Sequence, residues 1–144
     1  MVVTPLGIGP VRAGMTLAEL RQALDSVRFT DPDSMRCAYP KFSGLPEGVW
    51  VMVEQGIVGR VDVQKGDVAT AEGIRIGDMK DKVKSVYGTR VRELPHKYTD
   101  GQYLEVSTPN DSTHMIIFET NLAGEVLRYR AGKLPQVRYI ESCS

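Results

Sequence analysis

Cysteine is scarce in this chain of 144 residues, which contains only Cys37 and Cys143. Their wide separation excludes the paired C-x-x-C spacing that is typical of redox and zinc sites. Three interpretations stay open: two buried free thiols, one reactive thiol beside an inert one, or a disulfide bond. We favour the disulfide, because a bond to Cys143 would tie down a chain end that otherwise frays. Such a bond would indicate an oxidising compartment.

A surplus of charge is also lacking, since 18 Lys and Arg balance 18 Asp and Glu. No net field therefore attracts nucleic acid or an anionic membrane, and we expect no nucleic-acid partner. No apolar run approaches the about 20 residues of a membrane-spanning helix, and the first residues lack the pattern of a signal peptide. We expect no membrane span and leave open a lipid anchor upstream of this sequence. Location then depends on the cysteines: periplasmic or secreted if they are bonded, cytoplasmic if they are reduced.

Recognisable catalytic and metal-binding motifs are absent as well. The glycines that begin at Gly7 invite comparison with a dinucleotide-binding loop, but Pro10 interrupts the pattern and Arg12 replaces its third glycine. The sequence has no phosphate-binding lysine loop, no nucleophile elbow and no paired-histidine zinc helix. Its two histidines, His96 and His114, would bind a metal only if they lay close together and near a carboxylate. We expect no catalytic residues, no metal and no cofactor, which favours a non-enzymatic role without deciding it.

Two segments have the pattern of amphipathic helices. Thr16 and Glu19 form a capping box at the start of the first, whose apolar face carries three leucines at helical spacing. The second covers about residues 77–88, with Asp78 as its expected N-cap and Gly88 as its C-terminal stop.

A β-hairpin pattern follows each helix pattern. The first predicts strands over residues 50–54 and 57–63, and the second over residues 115–119 and 124–129. The tetrapeptide at 11–14 matches the one at 74–77, 63 residues later, and Glu54 matches Glu119, 65 residues later. The nearly constant offset predicts a tandem repeat.

The repeat predicts an α+β fold with two tandem α-then-β-hairpin units, at about residues 8–66 and 72–132. We expect the units to share one mainly antiparallel sheet with the helices on one face. A further strand at about residues 135–143 would close the sheet. The whole chain, residues 1–144, is expected to form a single domain, because its length matches one domain and each unit is too small to bury its own face.

One loop, at about residues 94–102 and followed by a short strand, concentrates side chains suited to recognition. Its weak candidate binding residues are His96, Lys97, Tyr98, Asp100 and Tyr103. Aromatic and cationic groups on loops often serve recognition. In the structural interpretation, which we favour, the tyrosines cover the sheet edge and the histidine caps a turn. Trp50 and the methionines lie in strand or helix patterns and are expected in the core.

The segments at residues 8–16 and 73–88 carry a resemblance to known families. Gly14-Met15-Thr16 opens the first helix, and the second runs from Gly77-Asp78 to Gly88. In these features the chain resembles the tandem helix–sheet fold of the β-lactamase inhibitory proteins and the small outer-membrane lipoproteins of the SmpA/OmlA type. The likeness covers about a third of the chain and extends to secreted members without an assigned role. It implies a periplasmic or extracellular binding module rather than an enzyme.

Two features depart from those families. The inhibitors carry a disulfide within each repeat, whereas the candidate bond here spans both units, and no lipobox cysteine stands at the N-terminus. No inhibitor contact residues are therefore carried over. We expect a non-enzymatic periplasmic or secreted bacterial protein that binds another envelope or secreted protein. The alternatives are a small hydrolase or ligand-binding domain that uses the loop from His96 to Asp100, and a cytosolic interaction domain with reduced cysteines.

Overall fold

The computed structural model describes residues 1–24 and 36–143, together with the backbone of residues 26–28. Strands account for 43% of the chain and helices for 16%, so the protein is mostly β. The predicted α+β fold class is therefore wrong. The described residues form a three-stranded and a seven-stranded sheet with two short α-helices, not tandem helix-and-hairpin units with the helices on one face.

Three groups of strands are present in the described residues, and every pairing within them is antiparallel. The three-stranded sheet is formed in order by β1 (Val3–Thr4), β2 (Gly7–Ile8) and β3 (Val11–Arg12). A separate pair joins β4 (Ser26–Arg28) to β6 (Lys41–Phe42). The strands of the large sheet are β5 (Cys37–Ala38), β7 (Val49–Glu54), β8 (Ile57–Val63), β9 (Val91–Pro95), β10 (Gln102–Thr108), β11 (Asp111–Thr120) and β12 (Val126–Lys133). Their spatial order is β5-β7-β8-β12-β11-β10-β9.

The two helices are α1 (Leu17–Ala23) and α2 (Lys80–Tyr87). The capping box of α1 is confirmed: the Thr16 hydroxyl accepts the Glu19 N–H, and the Glu19 carboxylate accepts the Thr16 N–H. Gly88 is the C-cap of α2 with a φ of 61°, a conformation that favours glycine. The predicted N-cap is wrong, because Met79 holds that position and Asp78 accepts from the Arg75 N–H in the preceding turn.

The two predicted hairpins are present as β7–β8 and β11–β12. The predicted tandem units with their helices on one face are not formed by the described residues, although the matching tetrapeptides differ in structure only at their first two residues. Val11 and Arg12 form β3, whereas residues 74–77 lie in turns and irregular backbone. Both tetrapeptides end in the same turn, because Gly14 and Gly77 share a φ of 96° and each donates its N–H to the hairpin that follows its helix.

The predicted closing strand at 135–143 is also wrong. Residues Gln136–Arg138 form a 3-10 helix, and turns follow. The edges of the large sheet are instead β5 and β9. We call residues 134–143 the C-terminal arm. The arm lies against one face of the sheet, where Val137 is completely buried, and this burial accounts for its strand-like alternation of apolar and polar residues.

The large sheet has an apolar face and a charged face, because side chains alternate along each strand. The apolar face joins the helices in the main core, whose members include Leu20, Val83, Leu104, Phe118 and Tyr129. On the opposite face lie a small apolar cluster and five buried charged side chains, those of Arg60, Asp62, Glu105, Glu119 and Arg130. The arm covers part of this charged face. In the part of the chain described here, neither helix has the length and apolar character needed to cross a membrane.

Candidate functional site

The centre of the charged face is Arg60, whose side chain is 2% exposed. Its Nε donates to Asp62 Oδ2 at 3.0 Å, and its Nη2 donates to the Tyr39 hydroxyl at 3.1 Å. The Tyr39 hydroxyl in turn donates to Asp62 Oδ2 at 2.9 Å. Burial raises the pKa of Asp62, and the Arg60 guanidinium opposes that rise. The three groups form a closed triangle that holds the Tyr39 ring by its hydroxyl end.

Arg60 also holds the C-terminal arm. Its Nη1 donates to the carbonyl oxygens of Gln136 and Tyr139 at 2.9 and 2.7 Å, and its Nη2 donates to Ser142 Oγ at 3.3 Å. Gly59 allows this close approach, because a Cβ there would stand 2.6 Å from the Gln136 side chain. All the donors of a buried guanidinium need partners, so the arm is part of the stable fold.

A second charged cluster surrounds Glu119. Its carboxylate receives His96 Nε2 at 2.9 Å, Arg128 at 3.2 Å and Arg130 at 2.5 Å. Burial alone would raise the pKa of Glu119, but the His96 hydrogen bond and the two guanidinium charges outweigh it and leave the pKa below its ordinary value. Glu119 is therefore ionised at neutral pH.

His96 lies inside this cluster, and both of its ring nitrogens are used. Nδ1 accepts the Tyr98 N–H at 3.1 Å, which leaves the proton on Nε2 to be donated to Glu119. The ring stacks on Tyr103 with centroids 4.4 Å apart, and the His96 side chain is only 8% exposed. A catalytic base needs a nitrogen free to reach substrate. The arrangement therefore corresponds to a packed, hydrogen-bonded histidine.

The other candidate residues of this loop point to different surroundings. Lys97 and Tyr98 are exposed, with the Lys97 ammonium 5.2 Å from the Tyr98 ring centre and the Tyr98 hydroxyl bonded to Glu141. Asp100 lines a separate cleft of about 220 Å³ beside Lys80 at the start of α2. The structure thus brings His96 and Tyr103 into contact, with Lys97 and Tyr98 beside them, and places Asp100 elsewhere.

Trp50, which the sequence predicted to be in the core, is 50% exposed. It lies in β7 directly across from Asp62 in β8, which places it on the charged face of the sheet. Its ring meets the Tyr39 ring edge to face, with centroids 6.1 Å apart and planes at 75°. The sequence Val49-Trp50-Val51 could have predicted this exposure. Side chains alternate along a strand, and the two valines face the core. Tryptophan is among the residue types most enriched in the energetically dominant part of protein interfaces.

A groove of about 310 Å³ begins at this aromatic pair. We call it the Trp50 groove and define it by Tyr39, Pro40, Phe42, Leu45, Pro46 and Trp50. Phe42 and Leu45 are partly buried and pack against the main core, so this side of the groove is continuous with the core. Lys65 and Glu47 flank it as an exposed ion pair at 3.2 Å.

A second cleft, of about 390 Å³, runs beside the arm near the candidate loop. Its walls are apolar at Tyr103, Ile117 and Ile140, but its charged groups already have partners. Arg138 makes two hydrogen bonds to the Glu105 carboxylate, at 2.9 and 3.0 Å. A charged ligand would have to compete with this internal pair, which makes the cleft a poorer candidate than the Trp50 groove.

The predicted bond between Cys37 and Cys143 is confirmed. It joins the start of the large sheet to the end of the arm, with the two Cα atoms 5.2 Å apart. The other histidine, His114, contacts Asp111 Oδ2 at 3.0 Å. Within the described residues, no three His, Cys, Asp or Glu side chains come together as a metal site would require.

No protein-family model, curated protein or solved structure matches the chain. The resemblance to β-lactamase inhibitory proteins and to SmpA/OmlA-type lipoproteins thus remains a prediction from the sequence.

Proposed function

We propose that this protein is a non-enzymatic, protein-binding module of an oxidising compartment, periplasmic or secreted, and that it binds its partner through the Trp50 groove. The observation that carries the proposal is the half-exposed Trp50 beside Tyr39. Tryptophan and tyrosine are the residue types that most often dominate the energy of protein interfaces.

Rigidity of the aromatic pair supports the same role. The Tyr39 hydroxyl is held by Asp62 and Arg60, and the base of the groove rests on the core. A surface ordered before binding loses little conformational entropy when the partner arrives. The Trp50 groove therefore has the chemistry and the order of an interface centre.

The disulfide supports the proposed compartment. Bonds of this kind persist outside the cytosol, where thiols are not kept reduced. Mass spectrometry of protein whose free thiols are alkylated at the moment of lysis tests the point, because each cysteine that is free in the host gains one alkyl group. We expect no free thiol. Two free thiols in protein isolated from its own host would support the cytosolic alternative instead.

The binding role is tested by site-specific photo-crosslinking in the host's envelope and secreted fractions. A photoreactive phenylalanine derivative is placed at Trp50 and, as a control, at Leu122, which is 78% exposed outside the groove. We expect a discrete crosslinked partner from position 50 and none from position 122. Equal products from both positions, or none from either, would contradict the proposal.

The captured partner then allows a quantitative test. Trp50→Ala should weaken binding at least about 30-fold, since truncating a central interface tryptophan costs about 2 kcal/mol or more. The matched control is Tyr98→Ala, which removes another exposed aromatic ring from the candidate loop. If Tyr98→Ala weakens binding and Trp50→Ala does not, the binding surface is the loop and the groove is wrong.

A further inference from the structure

The disulfide and the Trp50 groove are connected by a short chain of contacts. Cys37 stands two residues before Tyr39, and Cys143 directly follows Ser142. Arg60 Nη2 donates both to the Tyr39 hydroxyl at 3.1 Å and to Ser142 Oγ at 3.3 Å. One guanidinium nitrogen thus holds the two segments that the disulfide also joins.

We propose that the Cys37–Cys143 bond and Arg60 act together to hold Tyr39 against Trp50, so that the redox state of the bond regulates the Trp50 groove. The regulatory meaning rests on the binding function proposed above. The structural coupling itself is a property of the free protein and is testable without a partner.

Within the described part of the chain, the segment that carries Tyr39 pairs with the large sheet over a short stretch. Among the described residues, strand β5 pairs with β7 at Cys37 with Glu54 and at Ala38 with Val53, and the Gln55 N–H donates to the Arg36 carbonyl at 3.4 Å. Tyr39 then depends on its hydroxyl bonds to Asp62 and Arg60. A two-residue edge strand contributes little on its own, so a covalent tie at Cys37 is a large share of what orders Tyr39.

The arm is the other half of the coupling. When the bond is intact, Cys143 keeps Ser142 and the carbonyl of Tyr139 on Arg60. Once it is broken, the end of the arm is free to fray. Arg60 would then lose its acceptors on Tyr139 and Ser142 while its side chain is still buried. Because an unpaired buried charge is costly, the guanidinium would move or water would enter. Either response disturbs the triangle that orients Tyr39.

The bond is also within reach of a reductant. Both cysteines are partly exposed and line a cleft of about 410 Å³. A dithiol reductant supplies two electrons and two protons: its thiolate attacks one sulfur to form a mixed disulfide, and its second thiol displaces that sulfur. Cys37 and Cys143 become thiols, and the reductant becomes a cyclic disulfide.

The test uses Trp50 as its own reporter, because it is the only tryptophan in the sequence. Emission spectrum, acrylamide quenching and anisotropy decay are recorded before and after reduction by dithiothreitol, with far-ultraviolet circular dichroism to monitor the fold. We expect reduction to shift Trp50 emission to longer wavelength, to increase quenching and to speed the anisotropy decay. The variant Cys37→Ser/Cys143→Ser should show the reduced spectrum without reductant and should not respond to it.

Two further variants keep the outcome decisive if reduction unfolds the protein. Tyr39→Phe removes only the hydroxyl tie and should move Trp50 in the same direction with the disulfide intact. Leu122→Ala, outside the groove, should leave Trp50 unchanged. The coupling is overturned if Trp50 is indifferent to reduction in folded protein, or if Tyr39→Phe leaves it unchanged. Neither result depends on a binding partner, so failure here is distinct from failure of the binding function.

Discussion

At the residue scale, Glu119 sets how the protein responds to acid. Its pKa lies below the ordinary value because the His96 hydrogen bond and the charges of Arg130 and Arg128 outweigh burial. A carboxyl whose folded-state pKa is lowered contributes stability above its unfolded pKa, and that stability is lost as pH falls through the folded pKa. Asp62, whose pKa burial raises, has the opposite dependence. Comparing the pH dependence of stability in the wild type and in a Glu119 variant isolates the contribution of Glu119 from that of Asp62.

We therefore predict that Glu119→Gln lowers the free energy of unfolding by about 3 kcal/mol at pH 7, because it leaves the buried Arg130 guanidinium without its counter-charge. The loss should shrink as pH falls from the unfolded pKa of about 4.5 through the lower folded-state pKa, because the unfolded chain takes up the proton first. Denaturant unfolding from pH 7 to pH 3 measures it. Glu47→Gln, in an exposed pair, is the control and should cost less than about 1 kcal/mol. A loss independent of pH would contradict this explanation.

His96 gives a prediction that separates structure from catalysis. His96→Ala removes the donor to Glu119 and the stack on Tyr103, so we expect a destabilisation of about 2 kcal/mol. Thermal and denaturant unfolding measure it, with His114→Ala as a control of smaller effect at the other histidine. An undiminished stability together with a lost hydrolase activity would favour the enzyme alternative.

Residue chemistry in the candidate site was only partly predictable. The loop at 94–103 drew attention because it is rich in polar aromatics, yet His96 and Tyr103 turn out to pack together, and Asp100 lies apart from them. Arg60 gave no signal as a link to the arm, because its acceptors there lie 76 to 82 residues away in the sequence. Contacts over such sequence distances depend on the topology of the sheet, which no local pattern contains.

At the scale of the element, local rules worked where local forces decide. The capping box at Thr16 and the tight turn at Gln55 and Gly56 were readable, because both depend on residues a few positions apart. The arm was wrongly predicted to be a strand. Alternating apolar and polar residues are typical of a strand, but they also occur in a segment that lies across the face of a sheet. The fold class was wrong for a different reason: the prediction gave two recognisable helix starts more weight than the many strands around them.

The two helices differ in their caps, and this difference yields a prediction. Helix α1 has a capping box, whereas α2 begins at Met79, which makes no side-chain cap bond although its backbone is extended as an N-cap requires. Met79→Ser should therefore stabilise the protein by about 0.5–1 kcal/mol, and Thr16→Ala should destabilise it by about 1 kcal/mol. Denaturant midpoints measure both. Equal effects of the same sign would show that capping is not what distinguishes them.

At the scale of the whole molecule, the disulfide joins two residues that lie far apart in the sequence. It closes a loop with a sequence separation of 106 residues. The sequence predicted this long-range contact because it contains only two cysteines, which can bond only to each other within the chain. The location inferred from it remains a prediction. Composition had excluded a strongly charged chain, but it contained no information on how the twelve strands of the described residues divide between sheets.

We predict that Cys143→Ser lowers the free energy of unfolding by up to about 5 kcal/mol, since loop closure at this separation restricts the unfolded chain strongly. Urea unfolding of the variant against the oxidised wild type measures the loss. Reductant should bring the wild type close to the variant and leave Cys37→Ser/Cys143→Ser unchanged. A wild type insensitive to reductant would contradict the prediction.

The edges of the large sheet have a consequence for behaviour at high concentration. Strand β5 is two residues long, and β9 ends at Pro95, while Lys80 and Lys84 of α2 reach across to Glu93 on β9. Short, charged and proline-containing edges offer little template for another chain to extend the sheet. A protein built largely of long neighbouring strands is thereby protected against fibril growth, and purified stocks should remain dispersed on prolonged storage.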